Sequence, residues 1–332
     1  MTSSTTIKSR RVILDPAFAI EWRDVDDFLN EFGPYNGRYI PSYPNDWTTR
    51  LRGHLAELDF PPRKRLELQT KIANQARLCT FPENWAWDDS RQWKENLGEL
   101  SLDLTDSIVI GTALDPEPYH AWQDVIDEIR ATRSRSWVYK GSVSEYKELC
   151  RPLLLASPAV YLVDPYLDPF NQDAEFLLRG LFEQLKGSRC YSLEVIRRWP
   201  IKEASTTARI DDQYLLTLER ELAETYQALV PKDRTFRLHC VVEPRGTEAR
   251  EGTNLRLHDR FFLTKYGAIN FGHGFRLVGK GLPQQNAFVV DAGHHVILKR
   301  TYIEGVGHHG TQQQKWPGIP APVDVITFTV SA

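Results

Sequence analysis

The sequence predicts an α/β fold, a mixed sheet flanked by helices and preceded by a mainly helical N-terminal region. Three observations carry that reading. From about residue 107 onward, short apolar runs alternate with stretches of helical period. The run Ala159–Val163 is apolar without interruption and leads straight into Asp164-Pro165, which is the form of a strand covered on both faces of its sheet. The last third is dense in strand-like segments separated by Gly, Pro and Asn. The expected division is a flexible tail over 1–12, a helical or α/β region over 13–135, and an α/β domain over 136–332.

In order along the chain, residues 15–100 read as helical, broken by Pro34, Pro41, Pro44 and the pair Pro61-Pro62. Leu66, Leu68, Ile72, Ala76 and Leu78 recur there at near-helical spacing, followed by Trp85, Trp87 and Trp93. Arg63-Lys64-Arg65 opens that helix against its dipole; the choice lies between a phosphate contact and a solvated helix start, and charge runs favour the latter. A strand over 107–114 is followed by a helix over 117–132, whose apolar face is Trp122, Val125, Ile126 and Ile129. A strand over 137–141 and a helix over 144–155 come next. After the strand Ala159–Val163, a helix is expected over 174–186, a strand over 191–196 and a long helix over 211–229. Strands are then expected over 236–243, 255–264, 268–275, 287–291, 296–303 and 323–330.

Composition narrows the function classes. The 332 residues are 41% hydrophobic and 26% charged, which excludes disorder as the main state. A formal net charge of −3 provides no global basic field, so any site for a polyanion has to be local. Cys79, Cys150, Cys190 and Cys240 are dispersed without CxxC spacing, against a zinc site or a disulfide framework and in keeping with a reducing cytoplasm. No apolar run reaches the roughly 18 residues of a membrane span, so no membrane partner is expected. Neither a metal nor an organic cofactor is implied.

The chemistry concentrates in Leu255-Arg256-Leu257-His258-Asp259-Arg260-Phe261-Phe262-Leu263-Thr264 and its sequel Gly267-Ala268-Ile269-Asn270-Phe271-Gly272-His273-Gly274-Phe275. Residues two apart in a strand share a face, so His258 and Arg260 form a pair of nucleophile and anion binder. The structural alternative for His258 is a half-buried strand histidine bonded to a neighbouring backbone group. Asp164 and Asp168 suit turn formation or capping of the helix starting near Asp173, and also a metal or a role beside the imidazole. The segment 197–202, with Arg197, Arg198 and Trp199, has the composition to grip a phosphate and stack a base, or is a solvated strand end. His294-His295 and His308-His309 read as loop histidines.

These residues resemble the phospholipase D-like superfamily, whose members include lipid hydrolases, nucleases and catalytically silent binding modules. Its motif is His-x-Lys, four residues, Asp, six residues, then Gly-Ser-x-Asn. Starting from His258, Arg260 takes the Lys position, Lys265 the Asp position, and Gly272-His273-Gly274-Phe275 the final tetrad. The likeness extends over about 142–302, through the strand with Asp164-Pro165-Tyr166 and the later strand at Phe288-Val289-Val290. The resemblance implies a phospholipase D-like fold and a metal-independent phosphodiesterase, with His258 as nucleophile, Arg260 and His273 as phosphate clamp, and Lys265, Arg197, Arg198 and Asp164 around the substrate. A complete site needs two such histidines, which one motif supplies only as a homodimer. The implied substrate is nucleic acid, DNA first, in a setting such as bacterial phage defence or a mobile element, with a protein partner in a multi-subunit system. Lys265 and Phe275, where the motif has Asp and Asn, equally suit an inactive scaffold subunit, and lipid phosphodiester hydrolysis is a third reading.

Overall fold

The computed structural model describes residues 11–83, 85–100, 107–111, 120–131, 136–186, 188–198, 212–242, 260–275, 277, 284–304 and 324–332. The chain divides into two compact units, Met1–Arg135 and Ser136–Ala332.

The first unit is not purely helical. Strands β1 (Arg11–Leu14) and β4 (Ser107–Ile110) pair in parallel, as do β2 (Ile40–Ser42) and β3 (Thr80–Pro82). β1, β2 and β3, three or four residues long, leave little periodicity to read, whereas β4 lies within the expected strand over 107–114. β1 begins at Arg11, inside the stretch 1–12 expected as a tail; residues 1–10 lie outside the described residues. Around the strands lie α1 (Trp22–Glu31), α2 (Trp47–Glu57), α3 (Pro62–Lys71), a π-helical turn (Ile72–Ala76) running into α4 (Arg77–Cys79), α5 (Trp93–Gly98) and α6 (Trp122–Ala131). Phe18, Phe28, Trp47 and Trp122 form its aromatic centre, each at most 1% exposed. The basic run at the start of α3 is used internally. Lys64 Nζ lies 3.0 Å from Asp26 and 4.1 Å from the centroid of the Trp22 ring, and Arg65 Nη2 donates to Leu58 O at 2.9 Å.

The second unit is built on a mixed sheet in the order β12-β8-β7-β6-β9-β10-β11-β5. Its strands are β5 (Ser136–Tyr139), β6 (Ala159–Val163), β7 (Ser192–Arg198), β8 (Thr235–Val242), β9 (Phe261–Thr264), β10 (Ala268–Phe271), β11 (Gln285–Val289) and β12 (Asp324–Ser331). β6, β7 and β8 run parallel, while β9 to β11, with β5 and β12, pair antiparallel to their neighbours. The continuous apolar strand β6 is buried at all of its positions, as expected for a central strand. The connections between the parallel strands are helical: α8 (Gln172–Leu185) joins β6 to β7, and α9 (Asp212–Tyr226) precedes β8; α7 (Val143–Ala156) leads into β6. Ser142 and Glu145 cap α7 reciprocally, two residues before the start that periodicity suggested. Asn171, rather than either aspartate, caps α8 by accepting from Asp173 N at 2.8 Å.

One expected strand is a helix. Residues 296–303 fall in α10 (Ala292–Leu298) and a following π-helical turn (Lys299–Glu304). Asp291 Oδ1 caps the start by accepting from His294 N at 3.0 Å. The β-branched pair Val296-Ile297 gives a strand-like look but is exposed, and the buried residues are His295, Leu298 and Tyr302, at helical spacing. Leu298 and Tyr302 pack on the sheet face carrying Tyr161, Val163, Ile196, Phe261 and Leu263. His294 and His295 are therefore helical rather than loop residues, and His295 Nε2 donates to Thr264 O at 2.9 Å. Burial pushes its pKa below the ordinary 6.5. His308 and His309 lie outside the described residues.

Candidate functional site

Strand direction fixes where the chemistry-bearing residues meet. β9 runs antiparallel to β6 with Val163 opposite Phe261, so the next pair beyond the ladder is Asp164 and Arg260. This is the edge at which β6 and β7 end, the position where α/β sheets place ligands. Asp164 is 3% exposed. Its Oδ1 accepts from Tyr166 N at 2.9 Å and its Oδ2 from Phe275 N at 3.0 Å. One carboxylate thus ties the loop after β6 to the turn after β10.

Arg260 is held from both sides. Its carbonyl accepts from Phe271 N at 2.8 Å, and its Nη1 donates to Gly272 O at 2.9 Å. Its Nε is buried, 3.9 Å from Asp164 Oδ1, and has no hydrogen-bond partner among the described residues. Gly274 makes this approach feasible. Its φ of +86° suits glycine, and a Cβ there would run into the Asp164 carboxylate and come within 3.0 Å of Arg260 Cδ. β10 accordingly stops at Phe271 instead of continuing to 275. Behind the turn, Tyr146 donates to Gly274 O at 3.0 Å, and the Phe275 ring packs against Tyr146 and Phe271.

The loop after β6 carries Tyr166, 47% exposed. The Arg260 guanidinium carbon lies 5.3 Å from its ring centroid and that of Arg198 5.7 Å. Arg198 N donates to Pro165 O at 3.3 Å, which fastens the end of β7 to the same loop.

The structure brings together only part of the expected set. Asp164, Arg198 and Arg260 converge. Arg197 faces the opposite side of β7, is 8% exposed, and pairs with Asp168 at 2.8 Å, which braces the loop after β6. It belongs to the strand, which runs two residues past its expected end. His273 is exposed in the turn between Phe271 and Gly274. Lys265 is exposed in the β9–β10 turn, at the other end of β9; five residues at about 3.3 Å each put it roughly 16 Å from Arg260. His258 and Trp199 lie outside the described residues.

A second polar cluster occupies the middle of the sheet, on β7, β8 and β12. Glu194 and His239, each 3% exposed, meet at 2.9 Å between Oε2 and Nε2. Ser192 Oγ donates to Glu194 Oε1 at 2.9 Å and Arg237 Nη1 at 3.1 Å, while His239 Nδ1 is 2.9 Å from Thr327 Oγ1. Burial pushes the Glu194 carboxyl up, but His239, Ser192 and Arg237 outweigh it and hold the group below the usual range. Among the described residues no three or more His, Cys, Asp or Glu side chains are gathered to hold a metal ion.

Set against known proteins, the chain matches no family model, and no curated protein is significantly similar to it. No helix among the described residues is long and apolar enough to cross a membrane.

Two features of the site are missing from the sequence reading: Tyr166 as a surface group, and the N–H of Phe275 as a bond to Asp164. The first had a signal, an aromatic placed directly after an Asp-Pro strand end. The second had none, since a backbone donor is not written in a side chain. The Glu194 cluster also left a trace, polar residues at alternate positions of two otherwise apolar strands.

Proposed function

We propose that this chain is a divergent phospholipase D-like nuclease-type protein, which acts on or binds nucleic-acid phosphodiesters at the edge where β6 and β7 end. The observation that carries the reading is the convergence of the Arg198 and Arg260 guanidiniums on one exposed loop, with Arg260 Nε lacking a hydrogen-bond partner among the described residues. Preorganised guanidinium donors suit a phosphate's oxygens, and holding charge in place is most of what phosphoryl transfer needs from a protein. The motif spacing adds His258, two residues before Arg260 in the sequence. In the proposed reaction its imidazole nitrogen bonds to phosphorus as the P–O bond to the leaving group breaks, the leaving oxygen takes a proton from the second subunit's histidine, and water then releases the phosphohistidine. A homodimer, in a setting such as phage defence, follows from the same resemblance.

Comparing His258→Ala, Arg260→Ala and wild type for cleavage of single- and double-stranded DNA and RNA in EDTA tests the reading. Expected is loss of cleavage in both variants, with weakened oligonucleotide binding in Arg260→Ala only. Equal cleavage by His258→Ala and wild type sinks the mechanism. A second reading, a scaffold subunit without catalysis, is favoured by Phe275: where the motif has Asn it presents a buried ring and an N–H already bonded to Asp164. Light scattering on the eluting protein separates the two, since a monomer has no two-histidine site.

A further inference from the structure

We propose that Tyr166 is a stacking platform for an unpaired base beside the phosphate held at Arg260 and Arg198, so that the ligand class is single-stranded nucleic acid. The inference rests on the phosphate-site reading above and adds to it the part of the ligand that lies next to the phosphate.

Among the described residues of the unit three tyrosines are exposed, Tyr166 with Tyr191 at 53% and Tyr214 at 40%, and of these Tyr166 has guanidiniums over its ring. Tyr146 and Tyr226 are fully buried, and their hydroxyls donate to Gly274 O and Pro169 O. They are core residues with satisfied polar tips. Tyr166 is 47% exposed, and its hydroxyl has no hydrogen-bond partner among the described residues. Its backbone, by contrast, is tightly fixed. The N–H is bonded to Asp164, Pro165 restricts the preceding φ, and Leu167 N returns to Asp164 O at 3.3 Å. Two guanidiniums near the ring limit its motion further. A rigidly mounted ring with much of its surface open contributes little to folding and loses little freedom when a flat group lands on it.

The neighbours then choose the flat group. The Arg198 and Arg260 guanidiniums lie over the ring at 5.7 and 5.3 Å from its centroid, so what stacks next to them carries negative charge close by, which describes a nucleotide. Asp168, the nearby acid on the loop, is paired with Arg197 and repels a phosphate less than a lone carboxylate would. Phe170, four residues further along, is 39% exposed and offers a second apolar ring to a continuing strand. In a duplex each base face is covered by its neighbours, whereas an unpaired strand can offer a face to a protein ring.

The test is fluorescence anisotropy with labelled oligothymidylate, a strand of the same length built from abasic sites, and a duplex. Wild type is expected to bind oligothymidylate about tenfold more tightly than the abasic strand, the scale of one stacked base, and more tightly than duplex. Tyr166→Ala should remove that ratio with abasic affinity unchanged, and Tyr166→Phe should keep it. Arg260→Ala should weaken both strands alike. Tyr166→Leu, which keeps apolar bulk without a π face, serves the same comparison if the alanine variant fails to fold. Equal effects of Tyr166→Ala on both strands, or none on either, overturn the platform and leave the phosphate site standing. Binding of none of the three probes by wild type overturns both.

Discussion

Asp164 and Glu194 are acids of equal burial, one just past the end of β6 and the other within β7 beside it, each 3% exposed. Their partners differ in kind. Glu194 is saturated by side chains from Ser192, Arg237 and His239, so the Arg237 guanidinium near it has its anion inside the protein. Asp164 is saturated by two backbone N–H groups from separate loops, and its nearest cation, Arg260, stays 3.9 Å away with one donor unmatched among the described residues. The difference teaches where to look for a ligand. A buried acid that satisfies its cation makes a structural cluster, while one that satisfies backbone instead fixes the loops and leaves the cation for something else.

That contrast can be broken in several ways. The largest effect is expected from Glu194→Ala, which leaves His239 and Arg237 without their anion; a stability loss of about 3–5 kcal/mol in urea unfolding is expected, with oligonucleotide affinity of the folded protein unchanged. Asp164→Ala strips the acceptor from two backbone donors, and about 2–3 kcal/mol should be lost. Here oligonucleotide binding should fall as well, because both loops beside Arg260 come loose. Gly274→Ala forces a side chain into a left-handed conformation against the Asp164 carboxylate, which costs about 1–3 kcal/mol, and its binding should fall in parallel with Asp164→Ala. If Gly274→Ala lowers stability while leaving binding intact, the turn is structural only.

Arg260→Lys is expected to change stability by less than about 1 kcal/mol yet weaken oligonucleotide binding about tenfold, since an ammonium lacks the planar fork. The smallest effect concerns pH. The Glu194 pKa is depressed in the folded state, so its contribution is fully present above the ordinary 4.5 and is lost as pH falls through the lowered value. Glu194→Gln should therefore show a flatter decline of stability below about pH 4.5 than wild type, and so should His239→Gln, which removes the largest of the causes that lower the Glu194 pKa.

Much of the fold was legible because its signals are local. The uninterrupted run Ala159–Val163 marked the central strand, and the spacing of Trp122, Val125, Ile126 and Ile129 marked α6. Where the reading failed, a local signal competed with a tertiary one. Val296-Ile297 favoured a strand, but Asp291 as cap and the burial of His295, Leu298 and Tyr302 made a helix. β4 falls within a strand that was expected, but β1, β2 and β3 fell below the length at which period two can be recognised.

The site divides along the same line. By itself the sequence determined that Asp164 follows a buried strand and that Arg260 lies within an apolar run, because each is a property of neighbouring residues. That Asp164 and Arg260 face one another across β6 and β9, that Lys265 is carried to the far end of the strand, and that Arg197 turns away from Arg198 was decided only by the tertiary structure. Strand pairing, direction and register join residues distant in sequence, and those are set by the packing of the whole sheet.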